Sequence, residues 1–298
     1  MVINFLFRLF ASLPLTWLHR IGGWAGWLVY ACSSSYRRRL RANLAQAMGA
    51  PSRALLRQAI AEAGRQALEV CWIWRRPLET VLAKVVAVHG QELVESARRD
   101  GAGIMFLTPH LGCFELAGHY CAHICGGQLV ALYRPPRYRA LEPVMRAGRV
   151  RGLMTVAPAN LGGVKQLLKT LRMQGVVGIL PDQVPAAGQG ARVDFFGRPA
   201  WTMTLVARLA EVRGVRMIYV WAERLPLGRG YAVHYSLPAE NCDGSLAARC
   251  AAMNRDIERL VQQCPQQYLW AYNRYKKLSH GMRGSEQAGK EADAETEA

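Results

Sequence analysis

Apolar and polar positions divide the chain into three parts. Residues 2–32 are apolar but interrupted by charged residues and by Pro14, so no uninterrupted run reaches the roughly 18 residues of a secure membrane span. Residues 37–75 mix charged and apolar positions at helical spacing, and short apolar runs follow from residue 85 onward. The pattern predicts a membrane anchor over residues 1–36, an α/β domain over 37–280 and a disordered acidic tail over 281–298.

The central part has the alternation of strands and helices that is typical of an α/β domain. Short apolar and β-branched runs predict strands, stretches of helical spacing lie between them, and a Gly-rich segment, 186–201, predicts a loop. We therefore expect a mixed, largely parallel sheet flanked by helices, with an N-terminal apolar helical anchor. The predicted strands are 85–89, 103–107, 129–133, 176–180, 215–221 and 231–237, and the predicted helices after residue 75 are 111–124, 138–150, 160–174, 202–212 and 245–263.

Two of the predicted strands end in the same way. FLTPH (106–110) and GILPD (178–182) are apolar runs that stop at a proline, and a polar side chain follows, His110 or Asp182. Apolar runs without alternation are typical of strands covered on both faces. In open α/β sheets, sites form outside the carboxyl ends of parallel strands. If these strands are parallel neighbours, His110 and Asp182 lie on the same rim.

His110 and Glu115 form a candidate catalytic pair at this rim. A histidine is the commonest general base near neutral pH, and a nearby carboxylate can orient its ring. Within a regular helix a spacing of five residues would place the two side chains about 140° apart. At a strand–turn–helix junction the histidine precedes the first turn and can bend back to the carboxylate. The spacing therefore favours a junction, with Glu115 holding the His110 ring.

A metal site is an alternative interpretation of the same segment. Glu115, His119 and His123 recur every four residues, which places them near one helix face, and Cys125 is close by. Such a site needs a matching set of ligands elsewhere, and no other histidine stands in a typical metal-binding spacing. We therefore predict no metal, with His119 and His123 packed in the core or facing solvent.

The charge of the chain, +17 at neutral pH, calls for an anionic partner. The arginines at 37–41 directly follow the apolar segment, which suits an anionic leaflet on the cytoplasmic side and an uncleaved anchor, inserted or lying in the interface. Arginines also interleave with rigid turns at 133–139, which includes Arg134, and at 148–152, as in phosphate clamps. No nucleic-acid-binding module is present, and the eight cysteines, without a CxxC pair, predict reduced thiols.

Taken in order, several blocks of the sequence resemble the late acyltransferases of lipid A biosynthesis, in the lysophospholipid acyltransferase superfamily. The blocks are PHLGCFE, YRPP, GRVRG, GILPDQ, FFGRPA and QYLWAYNRYK. The resemblance implies an α/β acyltransferase at the cytoplasmic face of the inner membrane of a Gram-negative bacterium. It implies an acyl carrier protein thioester as donor, a lipid A precursor as acceptor and no cofactor.

Carried over to this sequence, the resemblance implies a catalytic dyad of His110 and Glu115. It also implies a functional arginine in GRVRG, Arg149 or Arg151, with Arg149 favoured, and it assigns Asp182 and Gln183 to the site. His110 would take the proton of an acceptor hydroxyl, whose oxygen attacks the thioester carbonyl while Glu115 holds the imidazole.

Three other functions remain open at the level of sequence. The first is a related enzyme that acylates a lysophospholipid, an ornithine lipid or a glycolipid, with acyl-CoA as a possible donor. The second is a non-catalytic, basic membrane-binding protein. The third is the metalloenzyme. Comparison of acceptors and donors in one assay, and the metal content of the purified protein, distinguish these hypotheses.

Overall fold

The predicted helices and strands of the central part occur in the predicted order, and the structure adds a helix at Gln91–Arg99 and a strand at Met154–Pro158 that were not predicted. The computed structural model describes residues 2–136, 138–240 and 243–276, so the predicted tail lies outside the described residues. Within them the helices are α1 (Val2–Ser12), α2 (Leu15–Cys32), α3 (Ser34–Met48), α4 (Arg53–Arg75), α5 (Leu78–Leu82), α6 (Gln91–Arg99), α7 (Phe114–Cys125), α8 (Glu142–Arg149), α9 (Leu161–Arg172), α10 (Leu205–Leu209) and α11 (Leu246–Gln263). The strands are β1 (Val85–His89), β2 (Gly103–Leu107), β3 (Leu129–Tyr133), β4 (Met154–Pro158), β5 (Val176–Ile179), β6 (Gly190–Phe195), β7 (Arg198–Met203), β8 (Val215–Arg224) and β9 (Tyr231–Ser236).

Side-chain caps fix where several helices begin. Asn160, the first residue of the predicted helix over 160–174, accepts a hydrogen bond from the Gly163 amide at 3.0 Å and starts α9. Ser52 accepts from the Leu55 amide at 3.1 Å and starts α4, one residue after the proline that opens this segment. Each cap satisfies an amide that has no partner within the helix.

In the described part of the chain, the central sheet has seven strands in the order β1-β9-β8-β2-β5-β3-β4. Every neighbouring pair is parallel except β8 and β9, which are antiparallel. The prediction of a mixed, largely parallel sheet is therefore confirmed. Strands β2 and β5 pair directly, and Thr108 continues the ladder with a 3.0 Å bond from its amide to the Ile179 carbonyl. The two strands that end in proline are thus parallel neighbours.

Strand β2 connects two layers of hydrophobic core. Its residues are all buried, and they alternate between the two faces of the sheet. Ile104 and Phe106 pack in the layer that contains α7, whereas Met105 and Leu107 pack in the layer that contains α9 and α11. This burial on both faces explains why the strand reads as a continuous apolar run.

Helices α1 and α2 pack against the domain through α4. Gly26 and Gly64 let α2 and α4 approach closely, since a Cβ atom on Gly26 would lie 2.2 Å from the Ile60 carbonyl oxygen. On the opposite side, α1 and α2 expose large apolar side chains, among them Phe5, Trp17, Trp24 and Leu28. Among the described helices, none combines the length and apolar character required to cross a membrane.

The predicted loop over 186–201 is wrong in part, because it contains an antiparallel hairpin of β6 and β7. Its turn consists of Phe196 and Gly197, both with positive φ (49° and 68°), which suits a two-residue hairpin. A phenylalanine in the left-handed region is rare, so the turn carries no sequence signal. The predicted helix over 202–212 is correspondingly shorter, since β7 continues to Met203.

Candidate active site

The segment after β2 carries His110 to the rim of the sheet. The Gly112 amide donates to the Gln267 carbonyl at 3.1 Å, and the Cys113 amide donates to the Ala222 carbonyl at 2.7 Å. Gly112 has a φ of 61°, and a Cβ atom there would lie 2.0 Å from the Ala222 carbonyl oxygen. Only glycine fits this close approach. The segment is therefore fixed by its backbone on both sides before α7 begins at Phe114.

His110 and Asp182 meet at this rim, as the strand pattern predicts. The His110 Nδ1 atom lies 2.7 Å from Asp182 Oδ1, and the His110 amide donates to Asp182 Oδ2 at 2.9 Å. Burial by itself would raise the pKa of Asp182, but attraction to His110 and the hydrogen bonds from it outweigh burial and lower that pKa. Asp182 is therefore an anion that accepts from His110.

The other ring nitrogen of His110 faces Gln183. The Gln183 amide nitrogen lies 3.0 Å from His110 Nε2, and because an amide NH₂ only donates, Nε2 is the acceptor. Nδ1 then carries the proton and donates it to Asp182. This hydrogen-bond network selects the tautomer in which Nε2 carries a lone pair and no proton, as a general base requires.

Glu115 does not form the expected contact with His110, since both nitrogens of that ring have other partners. Instead its carboxylate accepts from Arg149 Nε at 3.1 Å and from Trp74 Nε1 at 3.0 Å. Burial would raise the pKa of Glu115, but the charge and hydrogen bonds of Arg149 outweigh it and lower that pKa. The ring of His110 packs against Phe114 at the start of α7, with ring centroids 4.8 Å apart, but its two nitrogens face Asp182 and Gln183.

A cavity of about 570 Å³ opens beside these groups. His110 and Gln183 line it, as do three arginines, Arg134, Arg149 and Arg208. Apolar side chains form much of the remaining wall, including Leu132 and Leu180. Leu132, Leu180 and Arg149 also line a smaller apolar pocket, which reaches Gly178 and Cys121 behind Glu115. A ligand with both anionic and apolar parts suits such a cavity.

Arg151 lies apart from this cavity, although it is only two residues from Arg149. Its guanidinium donates to the Ile73 carbonyl at 2.7 Å and to the Arg76 carbonyl. The sequence interpretation therefore identified six residues that gather at one rim or its adjoining ion pair, and a seventh that faces elsewhere. The six are His110, Glu115, Arg134, Arg149, Asp182 and Gln183.

Sequence reasoning missed two aromatic residues at the site. Trp74, at the end of α4, donates to Glu115, and Tyr268 lies in the segment after α11, beside Asp182. Burial, followed by the charge of Asp182, raises the pKa of Tyr268 well above its usual value. The next amide, that of Leu269, donates to the His110 carbonyl at 3.1 Å. Trp74 stands in no motif, and Tyr268 lies in the block QYLWAYNRYK, which contributes to the family resemblance without an assigned role in the site.

The two histidines of the alternative metal site lie in different surroundings. His119 is buried, its Nε2 atom lies 3.1 Å from the Gly148 carbonyl oxygen, and burial lowers its pKa to about 4. His123 is exposed. Within residues 2–136, 138–240 and 243–276 there is no group of three or more His, Cys, Asp or Glu side chains that could hold a metal ion.

The sequence is similar to a set of bacterial enzymes. A lipid A biosynthesis acyltransferase of Haemophilus influenzae is 27% identical over 183 residues, which cover 61% of this chain and 56% of that protein. A lipid A biosynthesis palmitoleoyltransferase of Escherichia coli is 24% identical and a lauroyltransferase of the same bacterium is 25% identical, over 66% and 68% of their lengths. The chain thus spans between 56% and 68% of these relatives.

The match to the family as a whole is longer than the match to any of these three proteins. The sequence model of the bacterial lipid A biosynthesis acyltransferases matches residues 1–277 of the 298. This range includes His110, Glu115, Arg149 and Asp182, which the fold brings to one rim and its adjoining ion pair. The chain therefore belongs to the bacterial lipid A biosynthesis acyltransferase family.

Proposed function

We propose that the protein is an O-acyltransferase that moves a fatty acyl chain from an acyl carrier protein thioester to a hydroxyl group of a lipid A precursor. The observation that carries this proposal is the tautomer of His110. Asp182 holds Nδ1 through a 2.7 Å contact, while Nε2 is an acceptor at the wall of a large cavity. The family, and the lauroyl and palmitoleoyl transfer after which two of the relatives are named, support the choice of reaction.

In the proposed reaction His110 acts first as base and then as acid. Its Nε2 atom removes the proton of the acceptor hydroxyl, and the oxygen attacks the thioester carbonyl. A carbon–oxygen bond forms, the carbon–sulfur bond breaks, and the imidazolium returns the proton to the leaving thiolate. The acceptor hydroxyl is the nucleophile, so no serine or cysteine is acylated. For this step the hydroxyl replaces the Gln183 amide, which occupies the position next to Nε2 in the resting site.

Glu115 acts in this proposal through Arg149 and not through His110. The carboxylate accepts from Nε and Nη2 of Arg149, which orients the guanidinium at the cavity wall. A fixed cation there can stabilise negative charge that develops on the thioester oxygen, or bind a phosphate of the acceptor. Arg134 and Arg208 line the same cavity and add positive charge for an anionic acceptor. The orienting role that the sequence pattern assigns to Glu115 is transferred to Asp182.

The surface of the protein supports a membrane-bound acceptor and an acidic donor protein. Exposed Trp17, Trp24 and Leu28 on α2 suit an interfacial position at the bilayer, which we propose is the cytoplasmic face of the inner membrane. The net charge of +17 favours an anionic leaflet and an acidic acyl carrier protein over a neutral partner.

The test is acyl transfer by the detergent-solubilised full chain, with acyl carrier protein and coenzyme A thioesters offered in parallel and a lipid A precursor as acceptor. We expect product from the carrier-protein thioester, and a decrease of about a thousandfold in His110→Ala because the general base is lost. His123→Ala is the matched control, since His123 is an exposed histidine on α7.

Each possible result of this assay decides between the functions considered above. Product from acyl-CoA alone would correct the donor, and product only with a lysophospholipid, ornithine lipid or glycolipid would correct the acceptor. Equal rates in wild type and His110→Ala would exclude His110 as the base. If no acceptor is acylated while anionic vesicles bind wild type and His110→Ala equally, the non-catalytic membrane-binding protein is the better explanation.

A further inference from the structure

A second cavity, of about 350 Å³, lies beside Trp74. Three half-buried arginines line it, Arg75 and Arg76 at the end of α4 and Arg151 after α8. Pro77 and the ring of Trp74 add an apolar wall. The cavity shares no lining residue with the 570 Å³ reaction cavity.

The three arginines have no acidic partner. Arg75 donates to the Asn4 side chain, Arg76 donates to the Ser12 carbonyl at 2.8 Å, and Arg151 donates to two carbonyls. Within the described residues no carboxylate lies within 4.0 Å of these three guanidinium groups. The Nε atoms of Arg75 and Arg76 are buried and have no hydrogen-bond partner there. By contrast, Arg149, which is half-buried like these three, and the buried Arg224 are both paired with glutamates.

Such an arrangement is costly without an anion. Half-buried cations lose hydration, and three of them around one cavity repel one another. The effect is visible at Arg151, where burial lowers the pKa and the more distant Glu79 only partly opposes it. Guanidinium groups bind phosphate oxygens with paired, charge-assisted hydrogen bonds. A phosphate in this cavity would therefore supply the negative charge that the protein does not.

We propose that the cavity between α4 and α8 binds a phosphate group carried on an amphiphilic molecule. The apolar wall accommodates the part of the molecule next to the phosphate, and α1, which holds Arg75 through Asn4, has exposed apolar side chains. Trp74 links this cavity to the Glu115–Arg149 ion pair, since it lines the cavity and its Nε1 atom donates to Glu115 at 3.0 Å. A bound phosphate would lie next to the Glu115–Arg149 ion pair.

The phosphate has two possible sources, a phosphate of the acceptor glycolipid or the headgroup of an anionic phospholipid. The first depends on the proposed function and the second does not. Both require the same three guanidinium groups. The experiment therefore measures binding to each source separately and needs no turnover, so an inactive protein would refute the proposed reaction without deciding this inference.

The test compares the solubilised full chain with Arg75→Gln/Arg76→Gln and with the control Arg53→Gln/Arg57→Gln. The control removes the same charge from exposed positions on the same helix. The two probes are glucosamine 1-phosphate in equilibrium dialysis and phosphatidylcholine vesicles with or without phosphatidic acid in co-sedimentation. In dialysis we expect the cavity variant to bind one sugar phosphate fewer per chain than the control. Alternatively, in co-sedimentation we expect the phosphatidic acid-dependent part of its vesicle affinity to fall by tenfold or more, while the control keeps it.

Loss of binding to the sugar phosphate identifies the acceptor as the source. Loss only with phosphatidic acid identifies the bilayer as the source. Binding to both probes that equals the control would overturn the inference. Thermal unfolding checks that each variant is folded. If the double variant is not, Arg151→Gln gives the same test from the opposite wall of the cavity, because its partners are backbone carbonyls.

Discussion

Among the buried charged groups in the described part of the domain, two clusters differ in one respect: the first lines a cavity and the second does not. The rim cluster consists of His110, Asp182 and Gln183. The second, here named the anchor cluster, consists of His19 on α2, Glu62 and Glu69 on α4, Arg224 on β8 and Tyr231 on β9. Each cluster contains a buried carboxylate whose pKa is lowered by its hydrogen-bonded partner, Arg224 for Glu69 and His110 for Asp182. Burial and a shifted pKa therefore do not distinguish a reactive site from a structural one.

The difference lies in the hydrogen bonds that remain available. In the anchor cluster Arg224 donates to Glu69 Oε2 at 2.7 Å and to Glu62 Oε2 at 2.6 Å, and the Tyr231 hydroxyl donates to Glu69 at 2.9 Å. None of these groups lines the cavities described above. In the rim cluster His110 Nε2 is bound only by a glutamine amide at a cavity wall. A ligand can replace that amide, so the rim cluster can react, whereas the anchor cluster joins α2 and α4 to the sheet.

The largest expected effect on this comparison comes from Arg224→Met. The substitution leaves Glu62 and Glu69 buried without their cation, and we expect the free energy of unfolding to decrease by about 3–5 kcal/mol. Transfer activity per folded molecule should change little. Denaturant unfolding in detergent measures the first quantity. Arg216→Met on the same strand, whose side chain is 62% exposed, is the control, and equal destabilisation by both variants would contradict the structural role of Arg224.

Asp182→Asn should strongly reduce the transfer activity but change the free energy of unfolding only slightly. An asparagine amide can donate to Nδ1, which would place the imidazole proton on Nε2 and remove the lone pair that accepts the hydroxyl proton. We expect kcat/KM to decrease by about a thousandfold at neutral pH. The exposed Asp194→Asn is the matched control. Normal activity in Asp182→Asn would mean that His110 does not depend on this carboxylate.

The sequence predicts the rim better than it predicts the contacts made there. Each strand end is a local signal, and the rules for parallel sheets bring His110 and Asp182 together although they are 72 residues apart. The hydrogen-bond partner of His110 is not predicted in this way, because closeness in sequence favours Glu115. In the fold the ring nitrogens of His110 meet Asp182 and Gln183, while Glu115 meets Arg149 and Trp74. Most of these are tertiary contacts between distant segments, and no local pattern predicts them.

The anchor cluster and Trp74 are further examples of what the sequence does not reveal. Glu69 and Arg224 are 155 residues apart, and neither stands in a motif. Their pairing depends on how α4 crosses the sheet, which local spacing does not encode. The predicted helices and strands, by contrast, are largely confirmed because hydrophobic periodicity and capping residues act over one or two turns.

Acid should weaken the anchor cluster through Glu69. Burial would raise its pKa, but Arg224 outweighs burial and lowers the pKa from 4.5 to about 2. The ionised carboxylate therefore stabilises the fold at pH values above 4.5, the pKa of this group in the unfolded chain. This stability is lost as the pH falls from 4.5 toward 2. We expect Glu69 to account for a loss of about 3 kcal/mol over this window. The measurement is the difference in unfolding free energy between wild type and Glu69→Gln at several pH values. A difference that does not shrink with acid would contradict the prediction, and Glu95→Gln on α6 is the exposed control.

The smallest expected effect is that of Glu115→Gln, and it distinguishes the role of Glu115 from that of Asp182. Glu115→Gln removes a charged partner of Arg149 but leaves the His110–Asp182 contact in place. The loss of a hydrogen bond to a charged group lowers kcat/KM by roughly ten- to a hundredfold, which is less than the effect of Asp182→Asn. If Glu115 acts through Arg149, then Glu115→Gln combined with Arg149→Gln should be little worse than Arg149→Gln alone. A larger loss in Glu115→Gln than in Asp182→Asn, or effects of Glu115→Gln and Arg149→Gln that simply add, would return the orienting role to Glu115.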